Sequence, residues 1–236
     1  MEQQKNALSV RFQEQADEQI HWIHEIKTPL TAQRLMIDTM PPSKKKQELE
    51  LEWLRIHLLL DQTLHTLRMS SLEQDLILQQ VNLKNAVVDE IKALQSWFIS
   101  QDMEIEIENL NIDVISDKKW LQIIIRQLLS NAIKYSPKGS SITIKGGIAS
   151  NKHIYVEIID HGQGIASQDI PRIFHRGFTG TIGRKQSAST GMGLYLVKNI
   201  ADKLKINIQV DSILNEGTTI RLFFPMPNKI DIFQAK

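Results

Sequence analysis

Cysteine is absent from the 236 residues of this chain. Disulfides, iron–sulfur clusters and thiolate zinc sites are therefore excluded, which fits a reducing cytosol. An excess of either charge is also missing, because 28 lysines and arginines stand against 27 aspartates and glutamates, a formal net charge of +1. Bulk charge thus gives the chain no reason to bind nucleic acid or an anionic membrane, and we expect no nucleic acid partner.

Long apolar runs are missing as well. No stretch reaches the roughly 18 consecutive apolar residues that suggest a membrane-spanning helix. The first 20 residues are polar and lack the apolar middle of a signal peptide. We therefore expect the chain as given to be soluble, either by itself or as the soluble part of something larger.

Glycine is missing from the first 138 residues, and all 11 glycines lie between Gly139 and Gly217. Glycine serves where the backbone takes a positive φ or approaches a ligand closely. The first part of the chain therefore reads as long regular elements, and the second as a sheet-and-loop domain with ligand-facing turns. We predict a helical domain over residues 1–76 and a second domain over 77–230.

The first part predicts two helices. The pattern is helical from about Gln13 to Thr39, and Pro29 is expected to kink this helix without ending it. The segment 40–43 is a strong stop, and Ser43 can cap the next helix. That helix carries an apolar seam with alternating steps of four and three, formed by Leu49, Trp53, Ile56, Leu60, Thr63 and Leu67.

Two long helices joined by a short turn form an antiparallel hairpin. A lone hairpin cannot bury both of its faces, so we predict that two copies dock as a four-helix bundle in a homodimer. The alternative is a monomer in which both helices pack onto the second half of the chain.

The second part predicts a linker over 70–80 and then an α+β sandwich, with one sheet and helices on one of its faces. Helices alternate along the chain with strands that are expected to pair in antiparallel fashion. The expected helices lie near 87–98, 120–134 and 195–204, and the expected strands near 105–110, 142–144, 154–158, 206–210 and 218–224.

Two glycine motifs in the second part suit ligand binding, although Gly-x-Gly by itself is also common in ordinary turns. Asp160-His161-Gly162-Gln163-Gly164-Ile165 follows a predicted strand, so that a carboxylate at the strand end precedes two positions of close backbone approach. Thr190-Gly191-Met192-Gly193-Leu194 opens a predicted helix, whose N-terminal N–H groups favour anions. Neither motif matches the Walker pattern or the Rossmann spacing.

Two further groups carry chemistry on helices. Asn131 and Lys134 are three residues apart and share a helix face, where an amide oxygen suits Mg²⁺ and a lysine suits phosphate. His24 lies in mid-helix beside Glu25, whose carboxylate can fix the tautomer of the imidazole, and one turn before Thr28, whose hydroxyl can hold a water. No further histidine or acid completes a metal site there.

Together and in this order, these segments resemble the bacterial sensor histidine kinases of two-component systems, over about residues 10–226. The resembling boxes are the phosphoacceptor box 24–30, the N box with Asn131, Lys134 and Tyr135, the G boxes at 160–164, 191–194 and 215–219, and the F box at 173–174 and 177–180. The lead-in Trp22-Ile23-His24, the stretch 177–180 and a compact lid resemble the subgroup that senses antimicrobial peptides such as bacitracin. The resemblance implies a helical-hairpin dimerisation domain followed by an α/β-sandwich ATP-binding domain of the histidine kinase/Hsp90-like type.

The resemblance also implies the activity. His24 is expected to take the γ-phosphoryl group of ATP and pass it to an Asp of a response regulator. Glu25 is expected to act as general base or orienter, and Thr28 to position water for dephosphorylating the regulator. The family resemblance further implies a cytoplasmic portion of a cell-membrane protein, whose partners are the response regulator and an ABC transporter.

The nucleotide site is implied in the same way. Asn131 is expected to bind Mg²⁺, Lys134 to reach phosphate, Tyr135 to line the nucleotide, and Asp160 to accept a hydrogen bond from the adenine amino group, supported by Thr218. The remaining expected nucleotide-binding residues are Gly162, Gly164 and Ile165, the lid residues Arg184 and Lys185, and Gly191, Gly193 and Leu194. Gln127 departs from the family pattern, because many members have an additional Asn at that place.

Three alternatives stay open at this point. A chaperone-type or repair-type ATPase of the same fold would need a catalytic Glu in the N-box helix, and there is no Asp or Glu from Trp120 to Tyr135. A non-catalytic scaffold would not need Asn131, Asp160 and the glycines. A protein that acts mostly as a phosphatase would use the same Glu25 and Thr28.

Overall fold

The structure is a computed structural model, which describes residues 2–69, 76–150, 152–180 and 190–226. The chain divides into two compact units, Met1–Leu72 and Glu73–Lys236. Among the described residues no helix is long and apolar enough to cross a membrane.

The first unit is a hairpin of α1 (Glu2–Thr39) and α2 (Lys44–Leu67). Helix α1 therefore begins well before the predicted Gln13, because the polar residues ahead of it continue the helix without a breaker. It runs through Pro29 as predicted. Ser43 caps α2, as its Oγ accepts a hydrogen bond from the N–H of Lys46 at 3.1 Å.

The face that joins the two helices differs from the predicted seam. On α1 it consists of Ile23, Leu30 and Ile37, which recur every seven residues and are buried. On α2 the buried apolar residues are Leu54 and Leu64. The predicted seam is covered only in part within the hairpin: Trp53 Nε1 donates to the carbonyl oxygen of Leu30 at 2.7 Å, whereas Ile56 is 43% exposed and Thr63 is also exposed. Helix α2 thus carries two apolar stripes, of which the one through Ile56 is uncovered within the hairpin.

A charged cluster lies inside the hairpin. Lys27 Nζ is 2.6 Å from Asp61 Oδ1, and His57 Nε2 is 3.3 Å from Asp61 Oδ2, with Asp61 only 9% exposed. Burial by itself raises the pKa of Asp61, but the hydrogen bond from Lys27 and the charges of His57, Lys27 and His65 outweigh it, so that the pKa lies below its ordinary value. The carboxylate is therefore a stabilising anion in the folded hairpin.

This cluster makes the hairpin sensitive to acid. Because the folded pKa of Asp61 is lowered, its contribution is present above the unfolded pKa of about 3.9 and is lost as pH falls through the lower folded value. We expect Asp61→Asn to cost about 1–3 kcal/mol at neutral pH, since Lys27 loses a charged partner. Helical circular dichroism during thermal melts at pH 7 and pH 3.5 checks this. The control is Asp38→Asn, whose pair with Arg34 is more exposed; equal losses in both variants would contradict it.

The second unit contains a mixed sheet and a small separate one. Its strands are β1 (Gln79–Asn82), β2 (Glu104–Glu108), β3 (Asp113–Ser116), β4 (Ser141–Ile148), β5 (Ile154–Asp160), β6 (Asn207–Ile213) and β7 (Gly217–Phe223). The five-stranded sheet has the order β2-β4-β5-β7-β6, and β1 pairs with β3 in a two-stranded sheet. The pair β2–β4 is parallel and the others are antiparallel.

Two parts of the sheet prediction are therefore wrong. A single antiparallel sheet was expected, but β2 runs parallel to β4, and β1 and β3 form a second sheet. The predicted linker 70–80 ends inside β1, which starts at Gln79, and its residues 70–75 lie outside the described ones. Strands of four residues are too short to show a clear alternation of apolar and polar positions, which is why β1 and β3 were missed.

In the described part of this unit the α-helices are α3 (Leu83–Ala93), α4 (Gln95–Ser100), α5 (Lys118–Tyr135) and α6 (Gly193–Lys203), and a short 3-10 helix covers Ile170–Arg172. The helix predicted near 87–98 is interrupted at Leu94. Helix α5 packs against α3, α6 and β5, and α6 also packs against β6. Asp117, the N-cap residue of α5, accepts hydrogen bonds from the N–H of Trp120 at 3.0 Å and from the N–H of Ile77 at 2.8 Å. These contacts hold α5, which bears Asn131 and Tyr135, on the sheet.

Candidate nucleotide site and phosphoacceptor histidine

The second unit contains a cavity of about 370 Å³ at the ends of β5 and α5. This volume lies in the usual range of small-molecule sites. Seven of the predicted site residues line it, and these are Asn131, Tyr135, Asp160, Gly164, Ile165, Leu194 and Thr218. Its wall also includes apolar residues that were not predicted as nucleotide-binding residues, namely the F-box residues Ile173 and Phe178 and the residues Leu214 and Ile220.

Asp160 ends β5 and places its carboxylate in this cavity. Its Oδ1 accepts a hydrogen bond from the N–H of Gly162 at 2.9 Å, and the carboxylate also accepts from the N–H of Thr218. Burial raises the pKa of Asp160 above its ordinary value, although these two hydrogen bonds and the nearby His161 oppose the shift. The carboxylate is thus held in one orientation by main-chain donors in a partly dry site.

Two glycines after Asp160 are required by the chain's own packing. Gly164 has a φ of +65°, and a Cβ on it would lie 2.0 Å from the carbonyl oxygen of Ile213. A Cβ on Gly162 would lie 2.7 Å from the carbonyl oxygen of Tyr135. Any side chain would therefore push the loop off α5 and off the turn after β6. Gly164 also lines the cavity, whereas Gly162 does not.

Ser212 on β6 ties this loop to β7, and it was not predicted. Its Oγ accepts a hydrogen bond from the N–H of Ile165 at 2.8 Å and lies 2.9 Å from both Gly217 O and Thr218 Oγ1. The sequence offered one signal, because Ser212 is the polar residue that follows Ile208 and Val210 in the alternation of β6. Thr218, which is 8% exposed, is thus held at its hydroxyl by Ser212 and at its N–H by Asp160.

The N-box residues lie at the C-terminal end of α5. Asn131 and Tyr135 line the cavity, but Lys134 does not, and its Nζ lies 5.5 Å from the ring centroid of Tyr135. No group of three or more His, Asp or Glu side chains that could hold a metal ion occurs among the described residues. The amide of Asn131 still fits Mg²⁺, because Mg²⁺ commonly takes one or two protein ligands and completes its shell with water and phosphate oxygens.

The second glycine motif closes the cavity at the start of α6. Gly193 begins the helix, its N-cap Met192 makes no side-chain capping bond, and Leu194 lines the cavity. Gly191 has a φ of +65°, and its carbonyl accepts a hydrogen bond from the N–H of Gly177 at 3.0 Å. This hydrogen bond joins the F-box stretch 177–180 to the second glycine motif. The lid residues Arg184 and Lys185 lie outside the described residues.

The first unit presents the predicted phosphoacceptor. His24 is exposed on α1, and its Nε2 lies 3.1 Å from Nη2 of Arg68 at the end of α2. Thr28 Oγ1 donates to the carbonyl oxygen of His24 at 3.5 Å. Glu25 lies 3.5 Å from His21 Nε2, one turn back, and not on the ring of His24. Of the two residues predicted to assist His24, only Thr28 contacts it, through a hydrogen bond from its hydroxyl to the backbone carbonyl.

Residues 116–228 match the family model of the histidine kinase-, DNA gyrase B-, and HSP90-like ATPases. The chain is 47% identical to the sensor protein BceS of Halalkalibacterium halodurans over 218 residues, which covers 92% of this chain and 65% of the relative. It is 42% identical to the sensor histidine kinase GraS of Staphylococcus haemolyticus over 213 residues, which covers 89% of this chain and 60% of the relative. Residues 116–228 thus form an ATPase domain of this type, and the relatives that the chain resembles over most of its length are sensor histidine kinases.

Solved structures agree with this kinase fold. The Acinetobacter baumannii histidine kinase AdeS matches with a TM-score of 0.58 at 24% identity, over 87% of this chain and 98% of that one. Full-length ShkA, in complex with AMPPNP, matches with a TM-score of 0.63 at 18% identity, over 89% of this chain and 47% of that one. The chain spans 65% of the length of the BceS relative.

Proposed function

We propose that this kinase chain binds ATP with Mg²⁺ in the cavity of its second unit and transfers the γ-phosphoryl group to His24, from which it passes to an Asp of a response regulator. The observation that carries the proposal is the cavity itself, which places Asn131, Asp160 and Thr218 together in a domain of the ATPase family. Phosphoryl transfer asks mainly for positioning and charge neutralisation. These residues supply the positioning, and the Mg²⁺ held by Asn131 together with Lys134 would neutralise the phosphate charge.

In this proposal each site residue has one task. Asp160 accepts from the adenine amino group, which selects ATP over GTP, and Thr218 holds Asp160 in place. Tyr135 lines the nucleotide, Asn131 ligates Mg²⁺, and Lys134 reaches phosphate after a side-chain rearrangement. The loop after β5 lets the nucleotide approach the backbone, and its residues are Gly162, Gly164 and Ile165. The start of α6 presents N–H groups to the phosphates, and its residues are Gly191, Gly193 and Leu194. The lid residues Arg184 and Lys185 contact the γ-phosphate.

A measurement of ADP release separates this kinase from an ATPase that uses water. Transfer to His24 ends when the acceptor is occupied, so we expect a burst of at most one ADP per chain and then a slow phase. Steady ADP release without phosphorylated protein would favour the ATPase. Helix α5 supports the kinase, because it contains no Asp or Glu that could activate water.

Thr28 is proposed to hold the water that removes phosphate from the regulator. Thr28→Ala is expected to leave autophosphorylation unchanged and to slow dephosphorylation of the regulator about 10- to 100-fold, the usual range for a general acid–base or positioning group. Its hydroxyl bonds only weakly to the backbone of His24, so the helix does not depend on it. The check is single-turnover phosphate release with Thr31→Ala as control, since Thr31 makes the same kind of bond to Lys27. Equal loss of both activities would show that Thr28 is structural.

We propose further that the kinase is a homodimer through the hairpin. In the single chain, Trp22 on α1 is 63% exposed and Met36 70%, and Ile56 and Leu59 are exposed on α2. Covering these side chains in a four-helix bundle would remove a large apolar area from water.

Sedimentation is expected to give about twice the chain mass of 27.1 kDa at micromolar concentration. The variant Ile56→Glu would place a charge in the proposed interface, and we expect it to sediment as a monomer. Lys45→Glu is the control, as its side chain is exposed near the hairpin turn. A wild-type monomer at this concentration would contradict the dimer. We propose two further partners, a response regulator and an ABC transporter. We also propose that the complete protein is attached to the cell membrane.

A further inference from the structure

Arg68 contacts the atom of His24 that is free to react. The two residues lie 44 positions apart, and Nη2 of Arg68 is 3.1 Å from His24 Nε2. A guanidinium group has five N–H donors and no acceptor, so Nε2 must accept this hydrogen bond with its lone pair. In this contact the imidazole is therefore neutral and carries its proton on Nδ1.

The charged side chains next to His24 on α1 contact other residues, whereas Arg68 contacts its ring. Lys27, the other cation close by on α1, is held by Asp61 at 2.6 Å inside the hairpin. The carboxylate of Glu25 lies against His21. Arg68 itself is the C-cap residue of α2, with its backbone N–H bonded to Leu64 O, so the start of its side chain is fixed next to α1.

We propose that Arg68 is a further catalytic residue of the phosphoryl transfer, which selects the reactive tautomer of His24 and then binds the transferred group; this inference rests on the proposed function. Without Arg68 nothing among the described residues contacts the ring through a polar atom. With Arg68, the lone pair is kept on Nε2.

Phosphoryl transfer to His24 is a substitution at the γ-phosphorus of ATP. The Nε2 lone pair attacks the γ-phosphorus, the bond between this phosphorus and the bridging oxygen breaks, and ADP leaves with the electron pair. The proton stays on Nδ1 of the phosphorylated ring and is then lost to solvent. The guanidinium moves from Nε2 to the phosphoryl oxygens, which it can bind in a bidentate way.

Nitrogen-15 NMR of the His24 ring tests the tautomer without any nucleotide. The wild-type ring is expected to be protonated on Nδ1, and Arg68→Ala is expected to shift it towards protonation on Nε2. Arg55→Ala is the matched control, because Arg55 lies on the same helix and pairs with Glu52 on the surface. An unchanged tautomer in Arg68→Ala overturns the first half of the proposal.

Kinetics with labelled ATP test the second half. In Arg68→Ala we expect label to enter His24 about tenfold more slowly and to be lost by hydrolysis about tenfold faster, with Arg68→Lys in between and Arg55→Ala unchanged. Wild-type rates in Arg68→Ala, in a chain whose circular dichroism is unaltered, overturn it. If the wild-type chain takes up no label, the proposed kinase activity fails, and the NMR result still decides the tautomer.

Discussion

The variant Asp160→Asn is expected to bind ATP about 10- to 100-fold more weakly than the wild type. A hydrogen bond to a charged group contributes about 1.5–3 kcal/mol, and each 1.4 kcal/mol corresponds to about a tenfold change in affinity. The carboxylate lines the cavity and is oriented by the N–H groups of Gly162 and Thr218. An amide in its place offers the adenine amino group a neutral acceptor at best.

The same variant is expected to keep or gain stability. Because burial raises the pKa of Asp160, the folded state favours the protonated form, and the stability linked to that form is lost as pH rises through the folded pKa. At neutral pH the charged carboxylate therefore destabilises the fold, and a neutral amide removes this penalty. Loss of affinity without a lower melting temperature separates a binding role from a structural one.

Calorimetric titration with ATP and Mg²⁺, together with thermal melts, checks this prediction. Asp169→Asn is the matched control, because Asp169 is the second carboxylate that lines the cavity and has no proposed adenine contact. We expect a smaller change in affinity for this control. Unchanged ATP affinity in Asp160→Asn would refute the adenine contact.

The second large effect is expected for His24→Gln, which should reduce phosphoryl transfer to background. Glutamine has about the size and polarity of histidine, but its amide nitrogen is not a nucleophile at neutral pH. His24 is exposed on α1, so the hairpin does not depend on its packing, and ATP affinity is expected to stay unchanged.

The control for this prediction is His21→Gln, one turn earlier on the same helix, whose side chain is 78% exposed. Gel quantification of label from γ-labelled ATP should show full incorporation in His21→Gln and none in His24→Gln. Label that persists in His24→Gln, or that disappears in His21→Gln, would place the acceptor elsewhere.

The fold followed from the sequence wherever a periodic pattern was long. Helix α5 was predicted because its apolar residues recur over five turns, and the hairpin of β4 and β5 because its isoleucines alternate. Strands β1 and β3 were missed because four residues carry no clear period, and the parallel pairing of β2 with β4 was missed because pairing between distant segments leaves no local signal.

The site was predictable where its residues fall into short motifs. Asp160, Gly164 and Asn131 were found by spacing and family resemblance, and all line the cavity. Ser212 and Arg68 were not found, because each acts on a partner brought close only by folding. The buried stripe of the hairpin could not be predicted for a similar reason, since α2 has two apolar stripes and the sequence does not say which one faces α1.

The most direct test of the central claim is the chemical nature and position of the phosphoryl group after incubation with γ-labelled ATP and Mg²⁺. The account predicts a label that is lost in acid and stable in alkali, as expected for a phosphorus–nitrogen bond, and mass spectrometry at alkaline pH should locate it on the peptide that contains His24. A label that is stable in acid, or one that maps to another residue, would contradict the assignment of this chain as a kinase that phosphorylates its own His24.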